Sequence, residues 1–210
     1  MKGLIAIGVF ALVLVGIVVL FNGQPTTQEP TASVTLPPSD GVRMPADFSV
    51  VPAGGARARA LFEEVTKVLK HPRCTNCHPS TERPLQGEQG DLHQPLVVRG
   101  AGGLGAPGGM LCINCHGSTS FGRVPGSPGW VLAPAALAWE GASTTEICDG
   151  LKKHVEARGR SLQDLIAFVT NNSLVAYGFA PAEHLEPAPG SQKQLAKLVA
   201  AWVEQGADCP

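Results

Sequence analysis

Two short stretches carry residue types at a spacing that does specific chemistry. His71-Pro72-Arg73-Cys74-Thr75-Asn76-Cys77-His78 and Met110-Leu111-Cys112-Ile113-Asn114-Cys115-His116 each contain C-x-x-C-H. Two thiols three positions apart each bond one vinyl-derived carbon of a haem, and the adjacent histidine then presents its imidazole to the iron. On this reading Cys74 and Cys77 hold one c-type haem with His78 as proximal ligand, and Cys112 and Cys115 hold a second with His116. Both motifs also set Asn before the second cysteine, as a duplicated solution would.

Other chemistry fits parts of the same pattern. Two C-x-x-C pairs match a four-cysteine zinc site, and a single pair matches a thioredoxin-like redox motif. Against zinc stand the histidine after each pair and an N-terminus, described below, that directs the chain to an oxidising compartment. Against thioredoxin, neither pair sits in a βαβ pattern.

The ligand on the far side of each iron decides what a haem does. A second strong ligand makes an electron carrier, whereas an open position admits peroxide and other small molecules. The side chains that qualify are His71, His93, His154, His184, Met44 and Met110. His71 and Met110 sit just ahead of their own motifs, so each reaches only the other haem's iron. His93, in the loop between the motifs, is free to reach either and leads the list. His154 and His184 lie on polar segments away from the motifs and fit surface or propionate-bonding roles.

The elements that must hold these groups are helical. Residues 56–70 read as a helix with Leu61, Val65, Val68 and Leu69 on one stripe, ended by Pro72 just before the first motif. Residues 79–110 and 117–141 are Gly- and Pro-rich loops, the second carrying Trp130 and Trp139 to pack on haem edges or the small core. Three further helices are expected over 143–155, 161–171 and 191–205. Ser143 with Glu146 forms a capping box, and Gly206 is a stop signal. Only 38 positions separate Cys74 from Cys112, too few for two monohaem domains in tandem, so both haems share one domain and lie close. The two remaining cysteines, Cys148 and Cys209, are an even remainder in an exported domain and are expected to pair.

Composition agrees with that economy. The chain has 25 Gly and 18 Pro but only 7 Phe, 3 Trp and 1 Tyr, a poor protein core unless porphyrin faces supply apolar surface. The balance of 16 basic and 17 acidic residues excludes the strong basic excess of a nucleic-acid binder. Arg57, Arg59, Lys67, Lys152 and Lys153 supply either a docking patch or simply a solvated face.

Residues 3–21 are uncharged and apolar, preceded only by Met1 and Lys2. At about 1.5 Å per residue they span roughly 28 Å, the thickness of a bilayer's hydrocarbon core. No small-x-small cleavage site follows and no lipid-accepting cysteine, so the reading is an uncleaved signal anchor with Lys2 on the cytoplasmic side, with a cleaved signal peptide as the alternative; either way the remainder is exported. Residues 22–55, rich in Pro, Thr and Ser, form a semi-extended tether, although residues 44–51 also suit packing along the domain. The expected organisation is thus 1–21 transmembrane anchor, 22–55 tether and 56–210 haem domain.

Between about Leu61 and Cys209 the chain resembles a group of exported dihaem c-type cytochromes, some labelled isoquinoline 1-oxidoreductase subunit-like. The resemblance rests on HPRCTNCHP from His71, the His93 stretch ending in VVRG, MLCINCHG from Met110, WVLAPAALAWEG from Trp130, and EPAPGSQ from Glu186. It implies electron transfer as partner of another redox protein, and makes His71 and His93 the more interesting ligands. The overall expectation is a mainly α, loop-rich, cytochrome c-like dihaem domain on the periplasmic face of the inner membrane. It would relay single electrons between periplasmic or membrane redox partners, with no small-molecule substrate. A dihaem enzyme of peroxidase type, disfavoured by the close motifs, and a zinc-stabilised interaction module are the alternatives.

Overall fold

The computed structural model describes residues 36, 39, 41–105 and 110–210. The expected membrane anchor, residues 3–21, and most of the tether lie outside them. Among the described residues, no helix is long and apolar enough to cross a membrane.

The chain is mainly helical, and its core is built by helices from both ends of the domain. α1 (Gly55–Leu69) buries Ala58, Leu61, Phe62, Val65, Val68 and Leu69, the i, i+3, i+4, i+7 stripe of an amphipathic helix. Its main partner is α6 (Gln192–Glu204), which turns Leu195, Leu198, Val199 and Trp202 inward. Phe62 and Trp202, both fully buried, meet with ring centroids 4.9 Å apart. α3 (Thr144–Ala157) and α4 (Leu162–Asn171) complete the layer, and α5 (Ser173–Phe179) follows α4 directly. Ser143, Ser161 and Ser191 cap α3, α4 and α6 by accepting the N3 backbone N–H, the first two in full capping boxes. Cys148 on α3 is bonded to Cys209, fixing the C-terminus against that helix, as cysteine parity predicts.

The packed unit starts ahead of residue 56. Residues Pro45–Val50 form a 3-10 helix whose Phe48 is fully buried in the core, and Arg43 is tied to the buried Glu64 of α1 through both its backbone N–H (2.9 Å) and its guanidinium (3.3 Å). An aromatic side chain with room in the core overrides a Pro-rich local composition, so part of the expected tether belongs to the domain. The basic residues of α1 are tied down as well: Arg57 donates to the Val51 carbonyl, Arg59 pairs with Asp208 and Lys67 with Glu64.

Between α2 (Pro72–Thr75) and α3 lies a layer with little regular structure. Its described residues hold one two-residue antiparallel pair, β1 (Leu85–Gln86) with β2 (Asp91–Leu92), in the register Leu85 to Leu92, and three short 3-10 turns. Of the ten large apolar side chains exposed among the described residues, eight fall between Leu92 and Val124. This layer therefore lacks the apolar filling that the helical layer has.

Candidate haem-binding cleft

The first motif is presented by α2. His71 caps it, its Nδ1 accepting the Arg73 backbone N–H at 3.2 Å, and Pro72 takes the first-turn position that needs no donor. The Cys77 and His78 N–H groups both return to the Cys74 carbonyl, at 3.1 and 3.0 Å, so the two thiols and the imidazole share one turn. Burial pushes the Cys74 thiol up to about 12 and the Cys77 thiol to about 11. Reactive thioredoxin-type cysteines are shifted the opposite way, toward the thiolate.

His78 is held on two sides. Its Nδ1 lies 2.7 Å from the Leu137 carbonyl, which can only accept, so Nδ1 carries the proton and Nε2 keeps a free lone pair. Trp139 stacks on the ring with centroids 3.4 Å apart and planes 2° from parallel. Burial takes this histidine down to about 4, with the Leu137 carbonyl opposing the shift and the Arg99 charge adding to it. The imidazole thus stays neutral and available as a metal ligand through the physiological range.

The second motif repeats this arrangement in a more open setting. His116 Nδ1 lies 2.7 Å from the Pro125 carbonyl, and Trp130 stacks on the ring at 4.4 Å, again 2° from parallel. Burial lowers this histidine too, and the Pro125 carbonyl opposes the shift. Here Cys112 is half-buried and Cys115 exposed. The His93 ring stands 5.9 Å from that of His116, tilted by 55°, and its own Nδ1 is 3.0 Å from the Pro95 carbonyl, which leaves its Nε2 free as well. Two imidazole nitrogens each about 2 Å from one metal lie about 4 Å apart, with the ring centres further out. The His93 and His116 ring centres, 5.9 Å apart, leave room for one metal between the two rings.

Both motifs open on one cleft of about 520 Å3, lined by Cys77 from the first and by Cys112, Cys115 and His116 from the second, with His93 and Trp130. Met110 and His184 also line it. The four motif cysteines are free thiols. Among the described residues, no three His, Cys, Asp or Glu side chains converge as a metal-ion site. The donor set fits a covalently held haem instead: paired thiols, a fixed neutral imidazole behind each pair, and unpartnered buried polar atoms of Arg73, Asn76 and Tyr177 on the cleft wall.

No family model, curated protein or solved structure matches the chain.

Two functional features escape reading from sequence. The indoles of Trp130 and Trp139 sit against the proximal imidazoles, a pairing that loop composition does not announce. Arg99, 6% exposed, pins the loop layer together: it donates to the carbonyls of Ala133 (2.8 Å) and Thr81 (3.0 Å) and pairs with Glu82. One signal was there. Between Gln94 and Trp139, Arg99 and Arg123 are the only Lys, Arg, Asp or Glu residues, and Arg99 directly follows the apolar run Leu96-Val97-Val98.

Proposed function

We propose that this chain is a membrane-anchored dihaem c-type cytochrome that relays single electrons between redox partners on the periplasmic side of the inner membrane. The observation that carries the reading is the duplicated support of His78 and His116. Each has its Nδ1 on a backbone carbonyl at 2.7 Å and an indole stacked parallel on its face, so each directs a free Nε2 away from its support. A hydrogen-bonded second nitrogen is the usual orienting device of a metal-ligating histidine.

Bound haem supplies a one-electron ferric/ferrous couple. Cys74 and Cys77 hold the first haem and Cys112 and Cys115 the second, with His78 and His116 as proximal ligands. His93 is the sixth ligand of the second haem, supported by its distance from His116. His71 is drawn away from such a role by its capping bond, which puts its proton on Nε2. The Met110 side chain lines the same cleft and is a further ligand in reach of it. Cys77 and Cys112 line one cleft, so the two haems stand close enough for rapid exchange between them. Residues 3–21 anchor the chain, and the partner is another redox protein or a membrane redox complex, in keeping with the resemblance to isoquinoline 1-oxidoreductase subunit-like cytochromes.

The test is an optical and low-temperature EPR spectrum of the full-length protein, produced with c-type haem maturation, in oxidised and dithionite-reduced forms. Two covalently bound low-spin haems are expected. A high-spin haem that binds peroxide overturns the relay in favour of a peroxidase. Absence of haem absorption overturns it in favour of a zinc-stabilised module.

A further inference from the structure

Among the described residues, five buried side-chain polar atoms find no hydrogen-bond partner, and three of them belong to residues on the wall of the one cleft: Arg73 Nε, Asn76 Oδ1 and the Tyr177 hydroxyl. Arg73 and Asn76 are each 8% exposed. Neither is free to turn toward solvent. Arg73 Nη2 donates to the Gly87 carbonyl at 2.7 Å and meets the Glu88 carboxylate at 3.1 Å, and the Asn76 amide donates to the same Gly87 carbonyl at 2.8 Å. Tyr177 is set edge-on against Trp130 at 5.1 Å, and Trp130 is stacked on His116. Burial raises the Tyr177 phenol; the Ala182 backbone N–H, which approaches the phenol oxygen, opposes the shift and leaves the O–H proton itself without an acceptor.

A buried donor left unmade is costly, and more so when it is charged. The unused atoms here are a guanidinium N–H and a phenol O–H, both donors, with an amide oxygen beside them. Two donors carried by held side chains on one cleft wall match the two acceptor oxygens of a carboxylate, and a guanidinium N–H suits an anion. The Asn76 oxygen has the sense to accept from a bridging water, or from the carboxyl itself when protonated.

We propose that Arg73 and Tyr177 form a carboxylate site in the cleft that receives a haem propionate. This rests on the dihaem reading above, since the carboxylate is the haem's own. Asn76 and Glu88 are positioning residues: Glu88 and the Gly87 carbonyl hold Nη2 of the guanidinium, leaving Nε as its unused donor. An arginine against a propionate offsets the negative charge that otherwise favours the ferric state. It therefore raises the midpoint potential of the haem that it serves.

The experiment compares the matured full-length wild type with Arg73→Gln, Arg73→Lys and Tyr177→Phe. Covalent haem is counted by pyridine haemochrome and intact mass, both midpoints are followed by spectroelectrochemistry from pH 5 to 9, and the propionate bending modes by resonance Raman. Arg73→Gln is expected to keep both haems, to shift one of the two midpoints to more negative values and to leave the other in place, with Arg73→Lys recovering part of the shift. Tyr177→Phe, which removes no charge, is expected to shift the same midpoint less and to move the same propionate mode. A Tyr177→Phe protein with both haems and wild-type midpoints and modes overturns the proposal, as does an Arg73→Gln protein with both haems and neither midpoint moved. A wild type that emerges without covalent haem overturns the dihaem reading itself, which the haem count registers separately.

Discussion

At the scale of single residues, the chemistry of this chain is written in local spacing and its tuning is not. C-x-x-C-H is legible because the haem attachment it implies is confined to five consecutive positions. The carbonyls that set the two proximal tautomers come from Leu137, 59 positions from His78, and from Pro125, nine from His116, and backbone carbonyls leave no mark in sequence. His93 is intermediate: its place between the motifs made it the leading ligand, but only the 5.9 Å ring separation ties it to His116 rather than to His78. From that separation, His93→Ala should keep both haems attached, since their thioethers do not involve it, while the second haem loses its sixth ligand. EPR of the oxidised variant should then show one haem converted from low to high spin, and the reduced variant should bind carbon monoxide at one haem per chain. Two unchanged low-spin signals would assign the sixth ligand elsewhere.

At the scale of elements, the helices were readable and the loop layer was not. Ser143, Ser161 and Ser191 cap α3, α4 and α6 where the sequence put their starts, because a capping side chain and an apolar period fix a helix locally. α5 goes unread because Asn172 ends α4 and caps α5 in the same residue, leaving no loop to separate them. The Pro45–Val50 helix goes unread because its anchors, Phe48 in the core and the Arg43 and Arg57 ties to and from α1, are contacts with residues distant in the fold. In the loop layer, order comes from cross-links between segments far apart in sequence. The Leu132 N–H meets the Gly103 carbonyl at 2.8 Å, the Ala133 N–H meets the Cys77 carbonyl at 3.1 Å, and the Arg99 guanidinium spans the Ala133 and Thr81 carbonyls. Replacing Arg99 by Met keeps much of the volume but strips these acceptors of their donor, at a cost of about 1–3 kcal/mol. Because the same segments carry Trp130 and Cys112, the loss should appear in the second haem. Denaturant titration followed in the haem absorption should report a lower midpoint for Arg99→Met, together with a broadened ferric spectrum of the haem held by His116.

At the scale of the whole molecule, a helical layer with its own core supports a loop layer whose apolar side chains face outward, eight of them between Leu92 and Val124. The helical layer is cross-linked by the Cys148–Cys209 disulfide and by an ion cluster on Glu64. Glu64 is only 3% exposed, on α1, and gathers the Arg43 backbone N–H, the Arg43 guanidinium and the Lys67 ammonium at 2.8 Å. Burial works to raise its pKa, but the Lys67 hydrogen bond and charge and the two Arg43 contacts outweigh it, and the carboxyl is held below its ordinary value. The unfolded chain therefore takes up this proton more readily than the folded one. The stabilisation is fully present above the ordinary glutamate range, about pH 4.3, and is lost as pH falls through the lower native value. Glu64→Gln keeps the shape and removes the charge, so the Arg43 and Lys67 contacts to this position lose their anionic partner. At pH 7 the variant should be about 1–3 kcal/mol less stable by chemical denaturation. Repeating the pair of titrations stepwise toward pH 3 should bring the two curves together, because acid removes from the wild type what the substitution has already removed. A gap that stays constant over that range would mean that Glu64 acts through packing rather than through its charge.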